Sequence, residues 1–303
     1  MKNYLNGAEF TPAETEALLD HALRIKQSPQ TFANALGGYS IVGLFEKPSL
    51  RTRVSFEVGL HRLGAQAVYL DHQQERIGQR EAINDYAQNL SVWTHGIFAR
   101  VFEHQTLIEL SRHAKVPVVN ALCQQYHPCQ ALADALTIKE IFGQVKDVNI
   151  AYVGDGNNVC QSLMLIVAAL GGHISIATPT LHAPQAAMVE QAITLAGVSG
   201  GSVSLVNDIQ KLGAQDLLYT DTWISMGSTA NKDEVYQRLM PFQINAALVE
   251  KTGATAVLHC QPAHRDVEIS SDVIDAPYSY VLQQAENRLH AQNALWLKLF
   301  NKI

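Results

Sequence analysis

The amino-acid sequence predicts an α/β protein with two open parallel-sheet domains, a cleft between them, and long helices that join them. Short apolar runs of strand length alternate with segments of helical periodicity in two successive series, an arrangement typical of parallel sheets. The length of 303 residues exceeds that of a typical single domain, and a hydrophobic content of 47% can fill two cores. We therefore expect two domains rather than one.

The first series begins with a helix and continues with four strands. Residues 11–14, Thr-Pro-Ala-Glu, form the pattern of a capping box with proline at the first helical position. Strand-like runs separated by helical patterning follow at residues 39–45, 65–70, 96–102 and 116–120. A long helix is predicted over residues 130–142, where Gly143 would end it.

The second series contains five predicted strands, at residues 148–153, 174–177, 202–206, 217–220 and 256–259. Helices are predicted between the first three of these strands, over residues 160–170 and 184–196. A closing helix over residues 284–299 has apolar residues at near-helical spacing. We expect one domain from residues 1–135, completed by residues 284–303, and a second domain from residues 136–283.

Composition excludes several classes of protein. A net charge of −6 argues against a general nucleic-acid binder, which needs a basic excess. The four cysteines have no close pairing and the first residues form no apolar signal region, so we expect a cytoplasmic protein. No apolar run reaches the thickness of a bilayer, and no Cys-x-x-Cys or His-Glu-x-x-His motif predicts a metal site.

Residues 45–53, Phe-Glu-Lys-Pro-Ser-Leu-Arg-Thr-Arg, carry hydroxyl and guanidinium groups where a buried strand is predicted to become a helix. Ser49 lies at the expected N-cap, and Arg51 and Arg53 fall in the first turn. A helix N-terminus offers free amide donors and a positive dipole end, so arginines there need an anion to neutralise them. The pattern predicts an oxyanion site, best suited to phosphate, although a capped surface helix with solvated arginines has the same sequence.

Two further clusters follow predicted strands. His127 and Gln130 suit hydrogen bonding to a carbonyl or amide group, while a packing role for the histidine is equally open. Asn157 and Asn158 follow the strand at residues 148–153 and could hold a carboxylate or an amine, or only cap a helix. Their Gly-Asp-Gly-Asn-Asn stretch imitates a dinucleotide-binding turn, but Val159 replaces the third glycine.

The last two clusters carry an acid and a thiol. Asp221, with Ser225 four residues later, could hold the ammonium and carboxylate groups of an amino acid, or cap a helix. Cys260 lies between His259 and Pro262, a setting that suggests acyl transfer by a thiol, although most buried cysteines are inert. We favour Cys260 as a substrate contact over a covalent nucleophile.

Together the motifs at residues 49–53, 127–130, 221–227 and 259–262 resemble, in order and spacing, the aspartate/ornithine carbamoyltransferase superfamily. The resemblance covers essentially the whole chain. The patterns Asp-x-Trp-x-Ser-Met-Gly and Gly-Asp-Gly-Asn-Asn are similar to the ornithine branch, and the signatures of the aspartate branch are not visible.

The resemblance implies transfer of a carbamoyl group from carbamoyl phosphate to the side-chain amine of L-ornithine, giving L-citrulline and phosphate, with no metal or organic cofactor. It implies a homotrimer or a multiple of trimers, with carbamoyl phosphate bound by the first domain and ornithine by the second. A loop near residues 75–78 of one subunit would approach the site of its neighbour. The implied carbamoyl phosphate ligands are Ser49, Leu50, Arg51, Thr52, Arg76, Arg100, His127, Gln130, Cys260, Gln261 and Arg288. The implied ornithine ligands are Asn158, Asp221, Ser225 and Met226, and the implied catalytic groups are Arg100, His127, Asp221 and Cys260.

Three departures from the superfamily pattern leave alternatives open. Gln261 replaces the usual leucine, Arg76 replaces a glutamine or histidine, and residues 121–124 read Ala-Leu-Cys-Gln instead of Gly-Leu-Thr-Asp. The amine acceptor could therefore be an acylated ornithine, putrescine or a related amine. A non-catalytic homologue that binds a phosphometabolite is the alternative from a different class.

Overall fold

The computed structural model describes residues 2–224 and 231–303. The chain divides into two compact units, of which the first comprises Met1–Leu136 and Glu286–Ile303 and the second comprises Thr137–Ala285. Each unit contains its own parallel sheet, one of four strands and one of five, so the predicted class of two parallel-sheet α/β domains is confirmed.

The first unit has a four-stranded sheet in the order β2-β1-β3-β4, all parallel. Its elements are α1 (Pro12–Gln27), β1 (Ser40–Phe45), α2 (Leu50–Arg62), β2 (Gln66–Asp71), α3 (Ile83–Trp93), β3 (Gly96–Arg100), α4 (His104–His113), β4 (Val118–Leu122) and the start of α5 (Pro128–Phe142).

The second unit has a five-stranded parallel sheet in the order β7-β6-β5-β8-β9. Its elements are β5 (Asn149–Val153), α6 (Asn158–Ala169), β6 (His173–Ala177), α7 (Ala186–Ser199), β7 (Ser202–Val206), β8 (Leu217–Thr220), α8 (Lys232–Leu239), α9 (Ala246–Thr252), β9 (Ala256–His259), α10 (Ser271–Ile274) and the start of α11 (Val281–Leu299). Helix α11 then returns the chain to the first unit.

Local sequence signals account for several element boundaries. The capping box at α1 is present, with reciprocal hydrogen bonds between Thr11 and Glu14. Strand β4 begins at Val118 rather than at residue 116, because Pro117 has no N–H to donate to the ladder. Helix α5 begins at Pro128, two residues earlier than predicted, since proline suits the first helical position.

Tight packing in the first unit fixes helix α2 against its sheet. The ring of Phe56 on α2 stacks on that of Phe98 on β3, with centroids 4.2 Å apart and planes 10° apart. A side chain at Gly43 on β1 is excluded, because its Cβ would lie 2.3 Å from the Phe98 ring. The start of α2 is thereby held at the carboxyl end of the sheet, the edge where open α/β sheets bind ligands.

Among the helices of residues 2–224 and 231–303, none combines the length and the apolar character needed to cross a membrane.

Candidate active site

The turn between β1 and α2 forms the first part of the candidate site. Ser49 caps α2 as predicted, and its side-chain oxygen accepts a hydrogen bond from the backbone N–H of Thr52 over 3.3 Å. Leu50 exposes 72% of its surface, so its backbone is the part suited to a ligand. The first turn of α2 contains no acidic residue, and its amides and dipole therefore favour an external anion.

Two buried arginines meet at the hydroxyl of Thr52. Arg288 Nη2 donates to Thr52 Oγ1 over 3.1 Å, and Arg100 Nη1 donates to the same oxygen over 3.4 Å. All three residues are at least nine-tenths buried. A bound anion at this place would gain charge-assisted hydrogen bonds from guanidinium groups that already converge on one oxygen.

The two arginines of the predicted motif differ in their surroundings. Arg51 is half-buried in the first turn of α2, as an anion ligand requires. Arg53 is exposed, with its guanidinium 3.9 Å from the centroid of the Tyr69 ring and its Nε 2.9 Å from Glu57 Oε1. The expectation that Arg53 contributes to the oxyanion site is therefore not supported, because its charge is used in a surface ion pair and a cation–π contact.

His127 is buried at the end of the loop that precedes α5. Burial lowers the pKa of its imidazole well below the usual value, and the nearby charges of Arg288 and Arg100 lower it further. The ring is therefore neutral near pH 7. A neutral imidazole beside two guanidinium groups can donate one N–H to a carbonyl oxygen without adding a third positive charge.

Gln130 offers a buried acceptor close by in sequence. Its Nε2 donates to Asp134 Oδ1 over 2.8 Å, which fixes the orientation of the amide. Within residues 2–224 and 231–303, Oε1 of Gln130 has no hydrogen-bond partner although the residue is 1% exposed. A buried acceptor of this kind suits a ligand N–H, such as that of a carbamoyl group.

Glu46 connects this turn to the loop around Arg76. Its buried carboxylate accepts the backbone N–H of Ile77 over 3.0 Å and that of Phe102 over 2.8 Å. Strand β3 ends at Arg100 instead of at residue 102 as predicted, and the Phe102 amide donates to a side chain rather than to a neighbouring strand. Sequence reasoning missed Glu46, although an acidic residue directly after a buried strand is an available signal.

Arg76 and Lys47 lie against the ring of Phe102. The Arg76 guanidinium is 4.0 Å and the Lys47 ammonium 4.1 Å from the centroid of that ring. Burial lowers the pKa of Lys47, and the charges of Arg100 and Arg76 add to this effect. Within its own chain, Arg76 therefore lies close to the ammonium group of Lys47.

The second unit carries the acid and the thiol that the sequence singles out. Cys260 Sγ donates to Asp221 Oδ1 over 2.9 Å, and Asn157 Nδ2 donates to Asp221 Oδ2 over 2.9 Å. Asp221 and Cys260 are both buried at the ends of β8 and β9. Asn158 is half-buried at the first position of α6. Two other predicted ligands, Ser225 and Met226, lie outside the described residues.

The hydrogen bonds around His259 bear on the predicted thiol chemistry. His259 Nδ1 accepts the backbone N–H of Gln261 over 2.9 Å. Its Nε2 lies 3.2 Å from Glu268 Oε1, and both His259 and Glu268 are fully buried. This assigns the ring proton to Nε2. Since both ring nitrogens are engaged, His259 is not placed as a base for Cys260, and the interpretation of Cys260 as a contact residue is favoured.

A metal ion has one candidate cluster in the described part of the chain. The ligand atoms of Asp221, His259 and Cys260 lie within 4.8 Å of one another. Each of these groups is already committed, because both Asp221 oxygens accept hydrogen bonds, the Cys260 thiol donates one, and His259 uses both nitrogens. Metal binding would have to replace these bonds, so we assign the cluster to hydrogen bonding.

Two family descriptions match successive parts of the chain. The family description "Aspartate/ornithine carbamoyltransferase, carbamoyl-P binding domain" matches residues 2–140, and "Aspartate/ornithine carbamoyltransferase, Asp/Orn binding domain" matches residues 146–299. The chain is 48% identical over 299 residues to the ornithine carbamoyltransferase of Vibrio sp. (strain 2693), covering 99% of both chains. It is 46% identical over 301 residues to that of Shewanella oneidensis, covering 99% of this chain and all of the relative.

Solved structures give the same result. The ornithine carbamoyltransferase from Pyrococcus furiosus superposes with a TM-score of 0.95 at 40% identity, covering 100% of this chain and 98% of that one. The two family matches together span nearly the whole sequence, and the relatives are aligned from end to end. The chain therefore belongs to the aspartate/ornithine carbamoyltransferase family.

Proposed function

We propose that the protein transfers the carbamoyl group of carbamoyl phosphate to the side-chain amine of L-ornithine, giving L-citrulline and phosphate. The observation that carries this proposal is the meeting of Arg100 and Arg288 at Thr52, beside the capped start of α2. Family membership and the ornithine carbamoyltransferases that resemble the whole chain support the same activity.

The first unit is proposed to bind carbamoyl phosphate. The phosphate would lie on the first-turn amides of α2, held by the side chains of Ser49, Arg51 and Thr52 and by the two buried arginines. Gln130 Oε1 would accept an N–H of the carbamoyl amide, and His127 would donate to its carbonyl oxygen. Arg76, on the loop of residues 75–78, would reach the phosphate site of a neighbouring copy in the trimer and add positive charge there.

These donors match the charge that develops during transfer. When a neutral amine attacks the carbamoyl carbon, negative charge grows on the carbonyl oxygen and then on the departing phosphate. Arg100 and His127 would stabilise the first charge, while Arg51, Arg288 and the helix amides would stabilise the second. Because the pKa of His127 is held low, its imidazole stays a hydrogen-bond donor to the oxyanion rather than a proton donor.

The second unit is proposed to bind ornithine through Asp221, Asn158, Ser225 and Met226. Both oxygens of Asp221 accept hydrogen bonds from the protein, and their remaining lone pairs can accept N–H groups of the amino-acid substrate. Cys260, which donates to the same carboxylate, would lie near the attacking amine as a contact residue.

We further propose a cytoplasmic homotrimer, or a multiple of trimers, that acts in arginine biosynthesis. The four cysteines are buried and form no disulfide bond with one another, as suits a reducing compartment. Helix α2 exposes an apolar stripe of three residues spaced four apart, Leu50, Val54 and Val58, whose exposed fractions are 72%, 47% and 38%. A stripe of this kind suits contact with another copy of the chain.

The test is a steady-state assay of carbamoyl transfer with a panel of amines that includes ornithine, N-acetylornithine, putrescine and lysine. We expect citrulline and phosphate in equal amounts with ornithine, and a large loss when Thr52→Val removes the shared hydroxyl. Carbamoylation of another amine without citrulline formation would replace ornithine as the acceptor. Binding of carbamoyl phosphate with no phosphate release for any amine would make the protein a non-catalytic homologue.

A further inference from the structure

The amide of Asn157 lies between a helix cap and the acid of the second unit. As the N-cap of α6, its Oδ1 accepts the backbone N–H of Val159 over 2.9 Å and that of Cys160 over 3.2 Å. The hydroxyl of Tyr152 donates to the same oxygen over 3.3 Å. Three donors on one oxygen fix the amide orientation, so Nδ2 has to face the other way, toward Asp221.

Tyr152 secures this orientation from the core. Its ring is fully buried on β5 and stacks on Tyr219, with centroids 5.6 Å apart. Burial raises the pKa of Tyr152 well above its usual value, and the nearby Asp221 adds to the effect. The phenol is therefore protonated at any working pH, and it remains a hydrogen-bond donor to the cap.

Two hydrogen bonds, one to each oxygen, fix the orientation of the Asp221 carboxylate. Asn157 Nδ2 donates to Oδ2 and the Cys260 thiol donates to Oδ1, each over 2.9 Å. Rotation of the carboxylate would break both bonds at once. The orientation of Asp221, and through it that of the Cys260 S–H, is thus set by an amide whose own orientation is set by the start of α6.

We propose that Asn157 is a positioning residue for the reaction: it holds Asp221 in the orientation that receives the amino-acid substrate and keeps the Cys260 thiol aligned on the same carboxylate. Nothing in the sequence distinguishes this role from simple capping. The proposal rests on the proposed function for its effect on ornithine, but its effect on Cys260 can be measured without any substrate.

The test replaces the amide while keeping the cap. Serine is as good an N-cap as asparagine but is too short to reach Asp221, so Asn157→Ser keeps a capping oxygen and deletes the link to Asp221. Asn157→Asp also keeps the cap, and it replaces the donor with a second carboxylate that repels Asp221. Asn245 caps α9 through Leu248 in the same unit, so Asn245→Ser is the matched control for lost capping strength.

The first readout is alkylation of Cys260 by iodoacetamide in the substrate-free protein, located by peptide mass spectrometry. Asp221 released from Asn157 can turn away from Cys260, which weakens the hydrogen bond that holds the thiol in place. We expect Asn157→Ser to react several-fold faster at fixed pH, in the same direction as Asp221→Asn, while Asn245→Ser reacts as the parent protein does. Equal rates in Asn157→Ser and the parent would overturn the proposal.

The second readout separates the two Michaelis constants. We expect Asn157→Ser to raise KM for ornithine about tenfold and Asn157→Asp to raise it more, with KM for carbamoyl phosphate unchanged in both. A rise in both constants, or a melting temperature well below that of Asn245→Ser, would mean that the residue acts only through folding and would overturn the positioning role. If alkylation changes as expected but the parent protein forms no citrulline, the positioning role stands and the proposed function fails.

Discussion

Arg288 Nη2 donates to Thr52 Oγ1 over 3.1 Å, which joins the last helix of the chain to the first turn of α2 across 236 residues of sequence. The same oxygen accepts a hydrogen bond from Nη1 of Arg100, at the end of β3. Three elements far apart in sequence therefore converge on one hydroxyl. The anion-binding group is complete only when α11 is packed in place.

Replacing Arg288 should separate activity from stability. Arg288→Gln removes one of two buried cations, so we expect kcat/KM for carbamoyl phosphate to fall by about 10² to 10³, or roughly 3 to 4 kcal/mol. The free energy of unfolding should fall by less than this, because removing one of two neighbouring buried cations relieves their mutual repulsion. Kinetics and urea denaturation measure the two effects, with exposed Arg112→Gln as control. Parallel losses of activity and stability would contradict this account.

Gly59 sets the spacing between α2 and α11. A Cβ built there would lie 2.5 Å from Asn293 Oδ1 and 3.4 Å from Leu289 Cγ, and Asn293 is buried. Gly59→Ala should therefore cost about 1 to 2 kcal/mol of stability and raise KM for carbamoyl phosphate by moving Arg288.

The matched control is Gly197 on α7, where a Cβ meets nothing within 4 Å. Gly197→Ala should stabilise the protein by about 0.5 to 1 kcal/mol, since alanine is the better helix former. Thermal and urea unfolding compare the pair. Similar effects from both substitutions would show that helix propensity, and not the close approach at Gly59, decides the result.

Acid should destabilise the protein through His127. Its pKa is lowered well below the unfolded value of about 6.5, so below that pH the unfolded chain binds a proton that the folded chain does not. The stability contribution is complete above about pH 6.5 and is lost as the pH falls, by up to about 1.4 kcal/mol per pH unit. Burial likewise lowers the pKa of His21, His104 and His290, which add to the slope.

Urea unfolding at pH 7.5 and 5.5 measures this dependence. We expect His127→Gln to reduce the difference between the two pH values by about 1 kcal/mol. Exposed His61→Gln is the control and should leave the difference unchanged. An unaltered slope in His127→Gln would mean that the folded imidazole titrates normally.

Glu46 should order the loop that carries Arg76. Glu46→Gln keeps one acceptor oxygen but puts an amide NH₂ group opposite the backbone N–H of Ile77 or Phe102. The loss of that hydrogen bond should lower the free energy of unfolding by about 1 to 3 kcal/mol. Hydrogen exchange should therefore quicken at least tenfold for the Ile77 amide and its neighbours, and KM for carbamoyl phosphate should rise. Glu75→Gln, exposed on the same loop, should change neither quantity. Unchanged exchange at Ile77 would exclude Glu46 as the anchor.

Cys260 should behave as a hydrogen-bond donor and not as a nucleophile. Cys260→Ser keeps a donor to Asp221, so we expect activity within about tenfold of the parent, whereas Cys260→Ala loses a bond to a charged group worth about 1.5 to 3 kcal/mol. Mass spectrometry of protein quenched during turnover should detect no carbamoyl adduct on Cys260. An adduct, or complete inactivity of the serine variant, would restore covalent catalysis.

Sequence by itself determined most of the elements and their parallel arrangement, because hydrophobic periodicity and capping signals are local properties. The Ser49 cap, the capping box at Thr11 and all nine strands follow from neighbouring residues. Helices α8, α9 and α10 were not predicted, since the stretch between β8 and β9 and the segment after β9 have weak periodicity.

Only the tertiary structure decided which polar groups meet. The shared hydroxyl of Thr52, the two amides held by Glu46, the capping amide that faces Asp221 and the Glu268 contact of His259 all join residues from different elements. Such pairings depend on how helices and strands pack, and no spacing along the chain encodes them directly. The residue types at the site were visible in the sequence, but their orientation and charge were set by burial and by partners brought together on folding.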